Sequence, residues 1–367
     1  MASPPAFTEL PVIDVSALGA GTPRERRAVA AELGRAAAAV GFCYVRGTGI
    51  APSAFDRLLA VAKAFFALPL DEKMRSYIGL SRCHRGYVPE GEEVFYGGGV
   101  DRKEAFDTGP DLPGDDPDYV AGNPMIGPNQ WPAAIPGFAA AVTAYYQDAM
   151  ALGRRLLSAL AVAMGEPEDT FGRHMTKPPS QLRLIHYPCD PDACDAPGIG
   201  AHTDYELITL LRPTSPGLEV LNGAGDWIDV PPRGDALVVN IGDMLELWSN
   251  GRFVATSHRV RTVTEERYSF PLFCTLDYHT VLGPLPRLLA PGEEPRPSLV
   301  VGEHLFAQTA QTFTYLKNRV AAGELALPDG SVTLSSFGQQ ARQRPRSSRG
   351  LPRSGKKRLD GPQGLGR

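Results

Sequence analysis

His202-Thr-Asp204 sets an imidazole and a carboxylate two residues apart. On a strand, side chains at i and i+2 share a face. The tripeptide falls where a strand is expected to start, so both groups can lean toward one point. His258 follows 54 residues after Asp204, at the end of a strand expected over residues 253–257. Two histidines and one carboxylate on neighbouring strands form a facial triad. Three positions of an octahedron stay open, which suits non-haem Fe(II) that must take both O2 and a co-substrate. An HxD tripeptide alone is common by chance, and a single histidine is usually structural.

A second group follows closely. Arg267-Tyr-Ser269 begins nine residues after His258, on the next expected strand. By the same period of two, Arg267 and Ser269 share a face. A buried guanidinium can hold a carboxylate through two parallel hydrogen bonds, and a hydroxyl beside it adds a donor. Tyr187, on the first strand of the expected barrel, supplies a further one. Together they suit the far carboxylate of a dicarboxylic keto acid whose other end chelates iron.

The elements that must position these groups divide the chain. Residues 10–15 and 41–45 are short β-branched or apolar runs and predict strands. Between them, residues 22–40 predict a helix, with Thr22 as N-cap and Pro23 at the first helical position. Residues 54–68 and 135–164 predict further helices, with a short one near 168–174. Residues 81–135 are rich in Gly, Pro and Asp, and read as a long functional loop. From residue 181 the texture changes. Short apolar runs at 181–187, 207–211, 218–221, 227–230, 236–241, 253–257 and 268–275 alternate with turn signals, the pattern of a jelly roll. A helix over 301–318 follows. The expected fold is therefore mainly β with flanking helices. An N-terminal αβ region (1–175) precedes a double-stranded β-helix (jelly-roll) core with its C-terminal helix (176–325). A basic, disordered tail (337–367) ends the chain.

Composition narrows the function. The formal net charge is −4 over 367 residues, with 37 basic and 41 acidic side chains. Nine basic residues and one acid lie in residues 341–367, so the first 340 hold 28 basic and 40 acidic side chains. The mild total thus joins an acidic body to a basic appendage. An acidic body argues against a nucleic-acid surface. No apolar run is long enough to span a bilayer, and residues 1–10 lack the pattern of a secretory signal. Five scattered cysteines do not make a disulfide framework. The expectation is a cytoplasmic monomer that takes a small molecule and neither nucleic acid nor membrane.

The ordered series HxD, His and RxS resembles the iron- and 2-oxoglutarate-dependent dioxygenases of the isopenicillin N synthase-like family. The resemblance extends over about residues 8–325. It includes LPVIDVSAL (10–18), GFCYVRGTGI (41–50), GYVPEGEE (86–93), KEAFDTG (103–109), LRLIHYP (182–188), GIGAHTDYELITLL (198–211) and RYSFPLF (267–273). It implies Fe(II) on His202, Asp204 and His258, and the C5 carboxylate of 2-oxoglutarate on Arg267 and Ser269, assisted by Tyr187. It further implies O2 as oxidant, succinate and CO2 as products, hydroxylation as the default outcome, and a setting such as secondary metabolism, antibiotic biosynthesis included. Two positions depart from the family pattern. Ile185 stands where an Asn is frequent, and Thr48 where a His is frequent. Two other readings remain beside this one: an oxidase of the same family that does without the keto acid, and a non-catalytic binding module.

The substrate is left to the pocket. Residues 81–109 are expected to cover the mouth of the barrel. Tyr87, Glu92, Glu93, Tyr96, Arg183 and Tyr205 are the candidate contacts. Glu92-Glu93 either recognises an amino or guanidino group or belongs to a solvated acidic loop. Arg183 shares a face with Ile185 and Tyr187, and either holds a substrate carboxylate or pairs with an acidic neighbour. GYVPEGEE also resembles the ethylene-forming branch, which acts with arginine. The C-terminal helix does not match that branch's substrate-binding residues, and its activity is not carried over.

Overall fold

The computed structural model describes residues 6–94, 102–189, 198–261 and 265–328. Tyr96 and the basic tail at 337–367 lie outside these residues.

The N-terminal strands form as expected. β1 (Val12–Asp14) pairs in parallel with β2 (Phe42–Arg46). The helix Pro23–Ala39 connects them, as a parallel pair requires. Thr22 closes a capping box: its hydroxyl accepts from the Glu25 N–H, and the Glu25 carboxylate accepts from the Thr22 N–H.

Ten further strands build the body. They are β3 (Gly86–Val88), β4 (Glu104–Thr108), β5 (Gln181–Tyr187), β6 (Ile199–His202), β7 (Ile208–Pro213), β8 (Leu218–Leu221), β9 (Trp227–Asp229), β10 (Leu237–Ile241), β11 (His258–Val260) and β12 (Arg267–Cys274). One sheet runs β1-β2-β10-β7-β12-β5-β4-β3, and a second runs β6-β11-β8-β9. Apart from β1 with β2, their pairings are antiparallel. The sheets face each other. Phe42, Tyr44 and Val238 of the large sheet form one buried cluster with Leu218 and Val220 of the small one. This is the jelly-roll core, with helices on the outer face of the large sheet.

The helix Phe138–Met164 covers that outer face. A mid-helix glycine costs about 1 kcal/mol relative to alanine. Gly153 is there because a Cβ would stand 2.6 Å from the Cys274 Sγ on β12. Among the described residues no helix is long and apolar enough to cross a membrane.

Three expectations are corrected. Residues 81–135 are not one long loop. They contribute β3 and β4 to the large sheet, where the register sets Asp107 opposite Arg183. Residues 253–257 are not a strand. Their N–H groups go elsewhere: Phe253 to the Ser249 hydroxyl, Val254 to the Ala37 carbonyl, Ala255 to the Glu246 carboxylate. The C-terminal helix breaks in two, Val301–Thr312 and Thr314–Ala321. Phe313 between them is extended and forms an isolated bridge with Glu93. The Val94 N–H donates to the Thr312 carbonyl and the Thr314 N–H to the Glu92 carbonyl.

Arg85 ties the segment before β3 in place. It is fully buried and donates to the carbonyls of Cys83, His84 and Met125. A Cβ at Gly109 would lie 2.3 Å from its Nη2. Gly109→Ala is therefore expected to destabilise the fold by about 1–3 kcal/mol, read as a lower urea midpoint at unchanged slope. A midpoint equal to the wild type would show that the arginine shifts freely.

Candidate active site

A cavity of about 940 Å³, open space at its mouth included, lies between the sheets. Alternation along the strands decides what enters it. Tyr187, Ile185, Arg183 and Gln181 line it from β5, Arg267, Ser269, Pro271 and Phe273 from β12, and Thr209 and Leu211 from β7. The period-of-two reading of Arg183, Ile185 and Tyr187, and of Arg267 and Ser269, is thus met.

At one wall, β6 and β11 run antiparallel with His202 directly opposite His258. Their rings lie 4.3 Å apart between centroids. Asp204 is not on a strand; it sits in the link between β6 and β7. The shared-face argument therefore does not explain its position. Hydrogen bonds do. Asp204 Oδ2 accepts from Thr209 Oγ1 at 2.5 Å and from Asn240 Nδ2 at 2.6 Å. That leaves Oδ1 facing His202 Nε2 at 3.7 Å and His258 Nε2 at 3.5 Å. Burial acts to raise the Asp204 pKa, but His258 and then His202 outweigh it and hold the carboxyl well below its usual range.

The imidazoles are oriented in the same way. His202 Nδ1 donates to the Gly200 carbonyl at 2.8 Å and His258 Nδ1 to the Thr256 carbonyl at 3.2 Å. A carbonyl only accepts, so each ring carries its proton on Nδ1, and the neutral form offers Nε2 to a metal. One ligand atom from each of the three residues lies within 4.8 Å of the others. Two imidazoles and one carboxylate on one side of a cavity fit Fe(II) with open positions. Partners of this kind are worth about 10–100-fold in metal affinity. Asn240→Ala is expected to weaken Fe(II) binding by about that factor, measured by anaerobic titration. Wild-type affinity in that variant would show that Asn240 does not orient the carboxylate.

Further along the cavity, Tyr187 stands opposite Arg267 and Ile185 opposite Ser269 in the β5–β12 register. Arg267 is fully buried, with its guanidinium 4.6 Å from the Tyr187 ring centroid. Its Nε donates to the Ser215 carbonyl at 3.2 Å. Its Nη1 and Nη2 are buried without a hydrogen-bond partner. Two orphaned donors on a planar fork are what a carboxylate satisfies. Leaving such a charge uncompensated is costly, so the site fits the distal carboxylate of 2-oxoglutarate.

The other candidates separate cleanly. Arg183 lines the cavity, but both its edges are taken. Nε and Nη2 donate to the Asp107 carboxylate at 2.7 and 2.8 Å, and Nη1 to Glu93 at 2.9 Å. Lys103 pairs with the same Glu93 oxygen at 2.9 Å. Burial and then these two cations act on Glu93 in opposite senses, and the cations win, holding it at about 2. Glu93 is therefore a buried counter-ion, not part of a solvated loop. Tyr205 lines the cavity and is half-buried. Glu92 is corrected: it does not line the cavity, because its carboxylate accepts from the Tyr77 hydroxyl and the Tyr315 N–H. Tyr87 is corrected likewise, since its hydroxyl donates to Glu104 at 2.6 Å, away from the cavity.

Four cavity residues escape the sequence reading. Gln181 is one step further along the alternation that finds Arg183. Asn240 lies on β10, with no pattern to mark it. Glu206 follows Asp204 by two residues and lines the cavity. Burial and then the Asp204 charge push it up to about 8. His84 also lines the cavity, in a left-handed backbone conformation (φ 59°). Its Nδ1 is 2.7 Å from the Tyr315 hydroxyl. Burial, with the charges of Arg183 and Arg85, holds its pKa well below the ordinary value.

Comparison with known proteins agrees with this geometry. Residues 10–134 match the family model described as non-haem dioxygenase in morphine synthesis N-terminal. Residues 178–276 match that of the 2OG-Fe(II) oxygenase superfamily. The 2-oxoglutarate-Fe(II) type oxidoreductase hxnY of Emericella nidulans is 35% identical over 70% of this chain and 76% of its own. Homoarginine-6-hydroxylase 2-ODD-233 of Oryza sativa subsp. japonica is 33% identical over 84% of this chain and 98% of its own. Among solved structures, a 2OG-Fe(II) oxygenase family protein of Caulobacter crescentus superposes with a TM-score of 0.74 at 31% identity, over 83% of this chain and 99% of that one. A full-length Neurospora crassa protein in complex with alpha-KG gives 0.72 at 27% identity, over 84% and 100%. The chain belongs to the 2OG-Fe(II) oxygenase superfamily. It is a 2-oxoglutarate-dependent Fe(II) dioxygenase, and the oxidase and binding-module readings gain no support.

Proposed function

We propose that His202, Asp204 and His258 bind the iron, that Arg267, Ser269 and Tyr187 hold the distal carboxylate of 2-oxoglutarate, and that a small molecule is hydroxylated beside them. Bound iron, with 2-oxoglutarate and O2, supplies oxidation of an unactivated C–H bond. The chain's own part is to fix the ligands, neutralise the co-substrate carboxylate and wall the reaction from water. The observation that carries this reading is the unpartnered Arg267 fork in the same cavity as the triad. Residues 176–325 are the proposed catalytic core. A monomer is the proposed functional unit. Buried free cysteines at 43, 83 and 274 fit a reducing, cytoplasmic setting.

On the substrate side, Arg183 and Glu93 shape the cavity as a fixed ion pair, while Tyr205 offers a contact surface. A screen scored by substrate-stimulated succinate formation tests the reading. L-Homoarginine, for which two plant relatives are named, belongs in the first panel. Stimulation that requires both Fe(II) and 2-oxoglutarate is expected. Substrate oxidation that proceeds without 2-oxoglutarate would return the oxidase reading.

A further inference from the structure

The end of the cavity remote from Arg267 has its own polar equipment. Gln181 pairs with Phe273 across β5 and β12, and Phe273 with Thr209 across β12 and β7. The Leu207 N–H donates to the Cys274 carbonyl at 3.0 Å. Glu206, Gln181 and Phe273 therefore share one end of the large sheet, and all three line the cavity. Tyr187 and Arg267 stand at the other end, about 20 Å along β5.

Ion pairing at this end of the cavity leaves one carboxylate out. Arg183 is neutralised by Asp107 and Glu93, and Lys103 by Glu93. Arg85 is committed to backbone carbonyls. Arg183 and Lys103 are thus held in ion pairs by Asp107 and Glu93, and Glu206 takes part in none of these pairs. Among the described residues its carboxylate has no ion-pair partner. Backbone N–H groups of Tyr205 and Glu206 are the donors near it. Gln181 Nε2 nearby is buried without a partner. Phe273 and Phe313 add apolar wall to the same cavity. Such a wall accepts the body of a ligand, while the unpaired carboxylate selects its polar end.

We propose that Glu206 is the specificity-determining residue of this enzyme and receives a cationic nitrogen, an amine or amidinium-type group, carried on the apolar body of the substrate. The proposal rests on the iron and 2-oxoglutarate reading above, because that reading makes this end of the cavity the substrate end. It moves the acidic recognition expected of Glu92 and Glu93 to a residue whose carboxylate is not already engaged by side chains.

The test uses the full chain, loaded anaerobically with Fe(II) and 2-oxoglutarate, and three probes of nearly one shape: benzamidine, benzamide and benzoate. Binding is read by calorimetry, and loading by the iron-to-2-oxoglutarate charge-transfer band. The wild type is expected to bind benzamidine more tightly than neutral benzamide, and benzoate most weakly. In Glu206→Gln, which keeps the shape, benzamidine is expected to bind on the order of 30-fold more weakly. Its preference over benzamide should disappear while the band persists. A loaded wild type without preference for benzamidine, or a Gln variant that keeps it, overturns the assignment. A wild type that never shows the band overturns the underlying reading instead, and the proposal with it.

Discussion

Asp204→Ala is expected to bring 2-oxoglutarate-dependent succinate formation down to background. Asp204 supplies the one carboxylate of the triad, and its free Oδ1 faces both Nε2 atoms. Two imidazoles remain in the variant, too few to hold Fe(II) facially against water and buffer. The loss should appear first as failure to bind Fe(II) in an anaerobic titration, and only as a consequence in turnover. Folding needs its own control. The change strands the Thr209 hydroxyl and the Asn240 amide, each of which donates to Asp204. An unsatisfied buried donor costs about 1–3 kcal/mol, so the variant should be less stable yet folded by circular dichroism. A folded variant that still makes succinate at a substantial rate would remove Asp204 from the reaction.

Arg267→Met is expected to separate stability from function. In the protein without ligand, Arg267 is a fully buried cation whose two terminal nitrogens have no partner. Replacing an uncompensated buried charge with an apolar side chain of similar length is neutral or stabilising. The thermal midpoint of the unliganded variant should therefore equal or exceed that of the wild type. With 2-oxoglutarate the order reverses. Truncating one partner of a buried charge pair costs about 2–5 kcal/mol, which is on the order of 30-fold or more in affinity. The wild type should gain about 2.7 kcal/mol at a ligand concentration one hundred times its Kd, and the variant should gain little at that same concentration. Melting curves with and without 2-oxoglutarate check both halves. A variant stabilised by 2-oxoglutarate as much as the wild type would assign the carboxylate to another cation. Arg183 is a poor alternative because Asp107 and Glu93 already hold it.

Most groups proposed for iron and 2-oxoglutarate are legible because strands have a period of two. Arg267 and Ser269 on β12 and Tyr187 on β5 reach one cavity with His202 and His258. Asp204 reaches it too, but from a link whose hydrogen bonds the sequence does not announce. Residues whose partners lie far along the chain are less legible. Asp107 meets Arg183 across 76 residues, and Glu93 meets it across 90. Nothing local marks Asp107 as a counter-ion, and residues 81–135 look like loop because β3 and β4 are short. The break at Phe313 is of the same kind. A continuous helical pattern is interrupted by backbone pairing with residues 92–94, more than two hundred positions earlier. Glu206 is hidden for a different reason. It lies inside a motif that metal binding already accounts for, so nothing singles out its own carboxylate.

At the cavity Glu93 is ion-paired with Lys103 and Arg183, whereas Glu206 has no ion pair among the described residues.

The most direct test of the central claim is the visible spectrum of the anaerobic Fe(II) protein as 2-oxoglutarate is added. A charge-transfer band is expected to grow in and saturate at one 2-oxoglutarate per chain, and to be absent from Asp204→Ala. Fe(II) bound with no such band at saturating 2-oxoglutarate would contradict it.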